Sequence, residues 1–221
     1  MEKLSLPKIA YDAIIDVIMV GTLKLGQPIP QIQLTKLLSM SRTPVREAMA
    51  ALERDGILVK EGRKYSVCYI SRKEVQELYS VRKNLEGMAA WDCARLLTPE
   101  TAKALTSQMK KIKKLTFSEN VDPYTLSTQN GNLHLLIAQG SDNRYNVKFL
   151  NEVVLKLKIV RAATLNSYER RNEEFAEHTE IVEAILARDS RKARVAMEQH
   201  RINILKFAEE NILPELFPDD E

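Results

Sequence analysis

MSRTPVREAMAALERDG, residues 40–56, sets two arginines four residues apart at the head of a stretch with helical period. Val45, Met49 and Leu52 fall at i, i+4 and i+7 and define an inward face, while Arg42 and Arg46 share a different one. Thr43 is a good N-cap and Pro44 suits the first helical position, so the stretch predicts a helix that opens there and stops before Gly56.

Upstream, PKIAYDAIIDVIMVG spaces Ile9, Ala13, Val17 and Val20 by four, four and three, which predicts an amphipathic helix closed by Gly21. TLKLGQPIP is a turn-rich connection. QIQLTKLL predicts a short second helix with Leu34, Leu37 and Leu38 inward, and SMS a tight turn. Downstream the period changes: in ILVKEGRKYSVCYI, Tyr65, Val67 and Tyr69 alternate with Ser66 and Cys68 after a polar turn at Gly62. That pattern predicts a two-stranded hairpin. Three helices followed by a hairpin predict a winged helix-turn-helix over residues 1–70.

Charge placement agrees with a polyanionic partner. Residues 1–70 hold 10 Lys/Arg against 7 Asp/Glu, whereas residues 71–221 hold 23 of each, so the whole excess lies in the N-terminal third. A recognition helix in the major groove of double-stranded DNA reads bases with its N-terminal residues, and arginine suits a bidentate contact with guanine. Arg42 and Arg46 fit that role, with Thr43 reaching a phosphate or base edge. In the hairpin turn Arg63 and Lys64 suit backbone or minor groove, and Gly62 permits close approach. An isolated arginine pair is more often a solvated surface feature; helix order, basic wing and charge excess together favour DNA. A winged helix serving as a protein-interaction module is the rival, and salt-sensitive DNA binding separates the two.

SRTPVREAMAALERDGIL also resembles the signature of the GntR family of bacterial transcription regulators, over about residues 5–70. The family usually has Pro-Gly where this chain has Leu25-Gly26, and often charged residues where the second helix has Gln31, Ile32 and Gln33. Only Arg42, Thr43, Arg46 and the wing are therefore carried over as DNA contacts.

From Ser71 onward the signal is helical, with helices expected near 73–97, 99–115, 123–139, 143–168, 171–188 and 190–211. Pro99, Pro123, GSDN at 140–143 and RDS at 188–190 mark the breaks. Residues 71–221 thus read as an all-helical bundle, and the whole chain as mostly α. Two cysteines, Cys68 and Cys93, make neither a disulfide framework nor a four-ligand zinc set. No charged-then-apolar leader opens the sequence, and no apolar run of about 18 residues suits a bilayer, so a cytoplasmic setting without membrane insertion is expected. Lys110, Lys111, Lys113 and Lys114 read as a solvated helix face, Met88 and Trp91 as packing residues, and Ser141 as a helix cap.

All three histidines, His134, His178 and His200, lie in the helical part, each on an apolar stripe. His178 stands 11 residues before Asp189 and His200 11 after it. If RDS turns an antiparallel helix pair, each imidazole is about 16 Å from the turn at about 1.5 Å per residue, and the two meet. Asn130 and His134, at i and i+4, add ligand atoms from another helix. Spacing alone leaves two readings open. One is core histidines bonded to backbone carbonyls. The other is a three-imidazole site for a divalent transition metal, Zn²⁺ first, with Ni²⁺ or Mn²⁺ as alternatives.

Residues 73–211 are similar to the FCD ligand-binding domain of the FadR-like branch of the GntR family. The resemblance is carried by YSVRKNLEGMAAWDCARLL, LHLLIAQGSDN and EHTEIVEAILARDSRKARVAMEQH. It implies a metal held by Asn130, His134, His178 and His200, and it places Arg82 opposite a small carboxylate effector. Asn130 would ligate through a neutral oxygen, leaving the metal its full charge. The combined expectation is a homodimeric transcription regulator whose operator binding responds to that effector. Its rivals are a hydrolytic metalloenzyme using the three-His site, and a regulator with a purely structural metal.

Overall fold

The computed structural model describes residues 5–19, 22–24, 26–54, 56–62, 64–119, 123–164 and 168–216. The chain divides into two compact units, Met1–Ser71 and Arg72–Glu221.

The first unit contains α1 (Leu6–Met19), β1 (Pro28–Ile29), α2 (Gln31–Leu37), α3 (Arg42–Arg54), β2 (Leu58–Glu61) and β3 (Lys64–Val67). Its sheet has three strands in the order β1-β3-β2, all antiparallel, with Ile29 opposite Tyr65 and Leu58 opposite Val67. The expected two-stranded hairpin therefore gains a third strand from the turn-rich connection. A two-residue strand is too short to show a period of two, and Pro28 suits an edge because it lacks a ladder N–H.

The inward stripe of α1 is Ala10, Ile14, Ile15 and Ile18, and Ile9, expected inward, is 41% exposed. Neighbouring stripes of this helix are both apolar, so periodicity alone could not rank them; packing against α3 selects one. Val20 and Gly21 lie outside the described residues. Leu37 is likewise exposed, because seven-residue α2 buries only Leu34. Helix α3 opens at Arg42, which puts Thr43 inside the first turn instead of at the N-cap. Pro44 is tolerated there because first-turn N–H groups have no intrahelical partner.

The second unit holds α4 (Arg72–Arg95), α5 (Pro99–Thr116), α6 (Pro123–Gly140), α7 (Arg144–Thr164), α8 (Tyr168–Leu186), α9 (Ser190–Asn211) and α10 (Leu213–Leu216). Helix α4 is central, packed against α6, α7, α8 and α9. Its small residues Ala89, Ala90, Cys93 and Ala94 join Leu133, Ile137, Ile181, Ile185, Ala193 and Met197 in one core. Fully burying each of the larger side chains contributes about 1.5–3 kcal/mol. Gly140 permits a close approach: a Cβ there would lie 2.6 Å from the Cys93 sulfur.

Side-chain caps mark several helix boundaries, Ser141 among them as expected. The Thr98 hydroxyl accepts from the Thr101 N–H at the start of α5, and Asp189 accepts from the Lys192 N–H at the start of α9. Ser141 donates to the Ala138 carbonyl and closes α6, while Asn143 accepts from the Tyr145 and Asn146 N–H groups to open α7. Met88 and Trp91, read as packing residues, are 39% and 38% exposed on α4. Toward its C-terminal end α4 buries Ala89, Ala90, Cys93 and Ala94, while Tyr79, Arg82 and Glu86 are buried further toward its start.

Candidate DNA interface and buried polar site

In the first unit, the Gln31 amide donates to the Arg42 carbonyl at 3.0 Å and ties α2 to the opening of α3. Val45, Ala48, Met49 and Leu52 anchor α3 inward, which turns Arg42, Thr43 and Arg46 to solvent on its first turns. An exposed helix start carrying two guanidinium groups combines fixed charge with free backbone N–H donors, both favourable to phosphate. In the wing, Gly62 takes φ 62°, in the left-handed region that favours glycine, and Lys64 is exposed. Arg63 lies outside the described residues. Two ties were not anticipated from sequence. The Tyr65 hydroxyl donates to Glu53 at 3.2 Å, joining the wing to α3, and the Lys60 ammonium stands 5.3 Å from the Tyr65 ring centre.

In the second unit, the three histidines meet. His178 on α8 and His200 on α9 have ring centres 4.6 Å apart, and His134 on α6 lies 5.0 and 5.2 Å from them. One ligand nitrogen from each falls within 4.8 Å of the others, and all three residues are buried. His134 Nε2 and His178 Nε2 are 3.0 Å apart. Asn130, one turn before His134, is 2% exposed, and its carbonyl oxygen has no hydrogen-bond partner among the described residues. Burial first, then the charges of Arg201, His178, His200 and Arg82, hold the His134 imidazole well below its ordinary pKa. It is therefore neutral at pH 7, with a lone pair to give.

Arg82 comes from α4 and is 1% exposed. Its Nε donates to Glu86 at 3.0 Å, and its Nη2 has no partner among the described residues. Glu86 also accepts from Arg201 Nε. Burial opposes ionisation of Glu86, yet Arg201 and Arg82 outweigh it and hold the carboxyl below its usual range.

Several surrounding residues carry roles the sequence did not signal. Glu177 accepts from His200 Nδ1 at 2.6 Å, from Arg170 at 3.0 and 2.7 Å, and from Asn203 at 2.8 Å. A carboxylate on Nδ1 assigns Nε2 as the lone-pair nitrogen of His200, the tautomer a metal requires. Buried Glu174 lies 3.8 Å from His178 Nε2. Arg201 reaches His134 Nε2 at 2.6 Å. Glu177 and Arg201 each adjoin a histidine in sequence, which is the one available signal, but charged neighbours of a buried residue are normally solvated.

The first unit presents arginines at a helix start, and the second gathers three buried imidazoles. The family model for bacterial regulatory proteins of the gntR family matches residues 7–64, and that for the FCD domain matches residues 77–203. The chain belongs to the GntR family and carries an FCD domain; it is a DNA-binding transcription regulator. It is 29% identical over 191 residues to the HTH-type transcriptional regulator YdhC of Bacillus subtilis (strain 168), covering 86% of this chain and 83% of that protein. It is 28% identical over 223 residues to the Glc operon transcriptional activator of Escherichia coli (strain K12), covering 90% and 87%. Among solved structures, E. coli McbR/YncC shares the fold with a TM-score of 0.73 at 22% identity, covering 92% of this chain and 98% of that one. No helix among the described residues is long and apolar enough to cross a membrane.

Proposed function

We propose that this regulator reads a double-stranded operator in the cytoplasm as a homodimer, under the control of a small carboxylate bound beside a divalent transition metal. Arg42, Thr43 and Arg46 contact bases and phosphates in the major groove; Gly62, Arg63 and Lys64 approach the backbone or minor groove. His134, His178, His200 and Asn130 would hold the metal, Zn²⁺ first among the candidates, and Arg82 would face the effector. The division of labour is residues 1–70 for DNA and residues 71–221 for metal, effector and dimerisation.

The observation that carries the reading is the meeting of three buried imidazoles, with ligand nitrogens within 4.8 Å of one another. Two further features fit a cation. Neutral His134 offers a lone pair, and the Asn130 carbonyl oxygen has no partner among the described residues. When bound, a divalent ion supplies positive charge to a carboxylate in a site shielded from water. Asn130 contributes no negative charge, so the cation is held less firmly and attracts the effector more strongly than with an aspartate in its place. Dimerisation is supported by an apolar strip on α4: Val81, Met88 and Trp91, at i, i+7 and i+10, are 48%, 39% and 38% exposed.

Elemental analysis of the purified full chain, beside His178→Ala, tests the site. About one transition metal per chain, lost in the variant, is expected for a three-histidine centre. A thermal-shift screen of small carboxylates on the loaded protein then defines the effector class. Absence of metal, with no stabilisation by Zn²⁺, Ni²⁺ or Mn²⁺, overturns the metal part and leaves the DNA-reading surface unaffected.

A further inference from the structure

We propose that Arg201 is a built-in competitor of the metal, bonded to the lone pair of His134 in the metal-free protein and displaced from it when a cation binds. The inference rests on the metal reading above and adds what sets the strength of that site.

The geometry is specific. Arg201 follows His200 on α9, is 1% exposed, and brings Nη2 to 2.6 Å from His134 Nε2. A guanidinium carries only donors, so the imidazole nitrogen must be the acceptor. The other ring nitrogen, Nδ1, lies 3.6 Å from a Glu86 carboxylate oxygen. That carboxylate favours the proton on Nδ1 and leaves Nε2 as the nitrogen with the lone pair. A pyridine-type nitrogen has one such pair in the ring plane, and a metal bond cannot form along it while an N–H bond uses it. His134 Nε2 also lies 3.0 Å from His178 Nε2, so it faces the other imidazoles of the shared site.

Charge acts in the same direction as occupancy. Arginine stays protonated at every relevant pH, and its cation lies within hydrogen-bond distance of the nitrogen that would bind the ion. Arg201 does not depend on His134 for its place in the core. Its Nε donates to Glu86, which also accepts from Arg82, so the pairing of charges survives loss of the imidazole contact. An arginine so anchored can leave a ligand without leaving the core. A neutral replacement removes both the repulsion and the competing donor; lysine removes the fork that reaches His134.

The test uses the full chain, with Zn²⁺ as the probe and its affinity read by competition with a chromophoric chelator. Arg201→Met removes the cation at similar length. Arg201→Lys keeps a charge for Glu86 but lacks the fork that spans Glu86 and His134 together, and it remains informative if the methionine variant fails to fold. Both variants are expected to bind Zn²⁺ about ten-fold or more tightly than the parent, the scale at which groups touching metal ligands act. Binding by the variants alone would be the same result in its strongest form. Unchanged or weaker affinity in folded variants, beside a parent that binds, overturns the competition and leaves the metal site standing. Loss of stabilisation by a carboxylate with no change in Zn²⁺ affinity overturns it too, and makes Arg201 an effector anchor. No binding by any of the three chains overturns the competition and the metal site together.

Discussion

Arg46 and Arg201 are both helix arginines, yet the fold treats them in opposite ways. Arg46 stands on the outer face of α3, in solvent beside Arg42. Arg201 is 1% exposed and divides its donors between Glu86 and His134. The first is exposed, so its donors face solvent and stay open to a partner from outside the protein. The second is already committed to partners inside the protein, so whatever enters the site must compete with those partners. The start of α3 leaves its charge available, whereas the buried set around Glu86 holds its arginines against a carboxylate.

The sharpest way to break this comparison is to remove the carboxylate at the centre of the buried set. Glu86→Ala leaves Arg82 and Arg201 without their shared acceptor in a core position. A loss of about 3–5 kcal/mol is expected in chemical denaturation of the helical unit. A loss below about 1 kcal/mol would put those arginines in the class of exposed pairs. Arg46→Ala should show the converse. Its stability stays within about 0.5 kcal/mol of the parent, while operator affinity by fluorescence anisotropy falls by about 1–3 kcal/mol. An Arg46→Ala protein that unfolds more easily yet binds DNA normally would contradict the placement of that side chain.

A smaller effect separates reading from positioning within the winged-helix unit. Lys64→Ala in the wing should weaken binding evenly across sequences and lower the slope of log affinity against log salt by about one. A change in sequence preference would instead make Lys64 a base contact. The least perturbing probe is the pair of cysteines, one in each unit. Burial pushes the Cys93 thiol up to about 11, so it stays protonated at pH 8, whereas Cys68 is only half-buried. Iodoacetamide is expected to label Cys68 in the folded protein and Cys93 only after denaturation. Equal labelling rates would show that the helical core opens as readily as the wing.

Much of this was legible in local pattern. The periodicity of VREAMAAL identified the inward face of α3 and left Arg42 and Arg46 outside. The equal distances of His178 and His200 from Asp189 anticipated their meeting, because a short turn between two helices fixes which residues stand level. Where neighbouring stripes were equally apolar, as at Ile9 and Ala10, pattern could not choose, and α3 chose. Strand β1 was invisible because two residues carry no period. Size and apolarity mark Met88 and Trp91 as packing residues, but around them α4 buries Ala89, Ala90, Cys93 and Ala94 and leaves both larger side chains partly in solvent.

Local sequence determined the longer helices and the hairpin, their breaks, the basic opening of α3, and the family to which the chain belongs. These depend on residues within a few turns of one another. Only the tertiary structure decided that Glu86 meets Arg201 across 115 residues and that His134 meets His178 across 44. It also decided that Glu177 holds His200 from the facing helix. The physical reason is that a charged side chain next to a buried one has no local preference for the core. Whether it turns inward depends on a partner of opposite charge being delivered there by a distant helix, and that delivery is a property of packing.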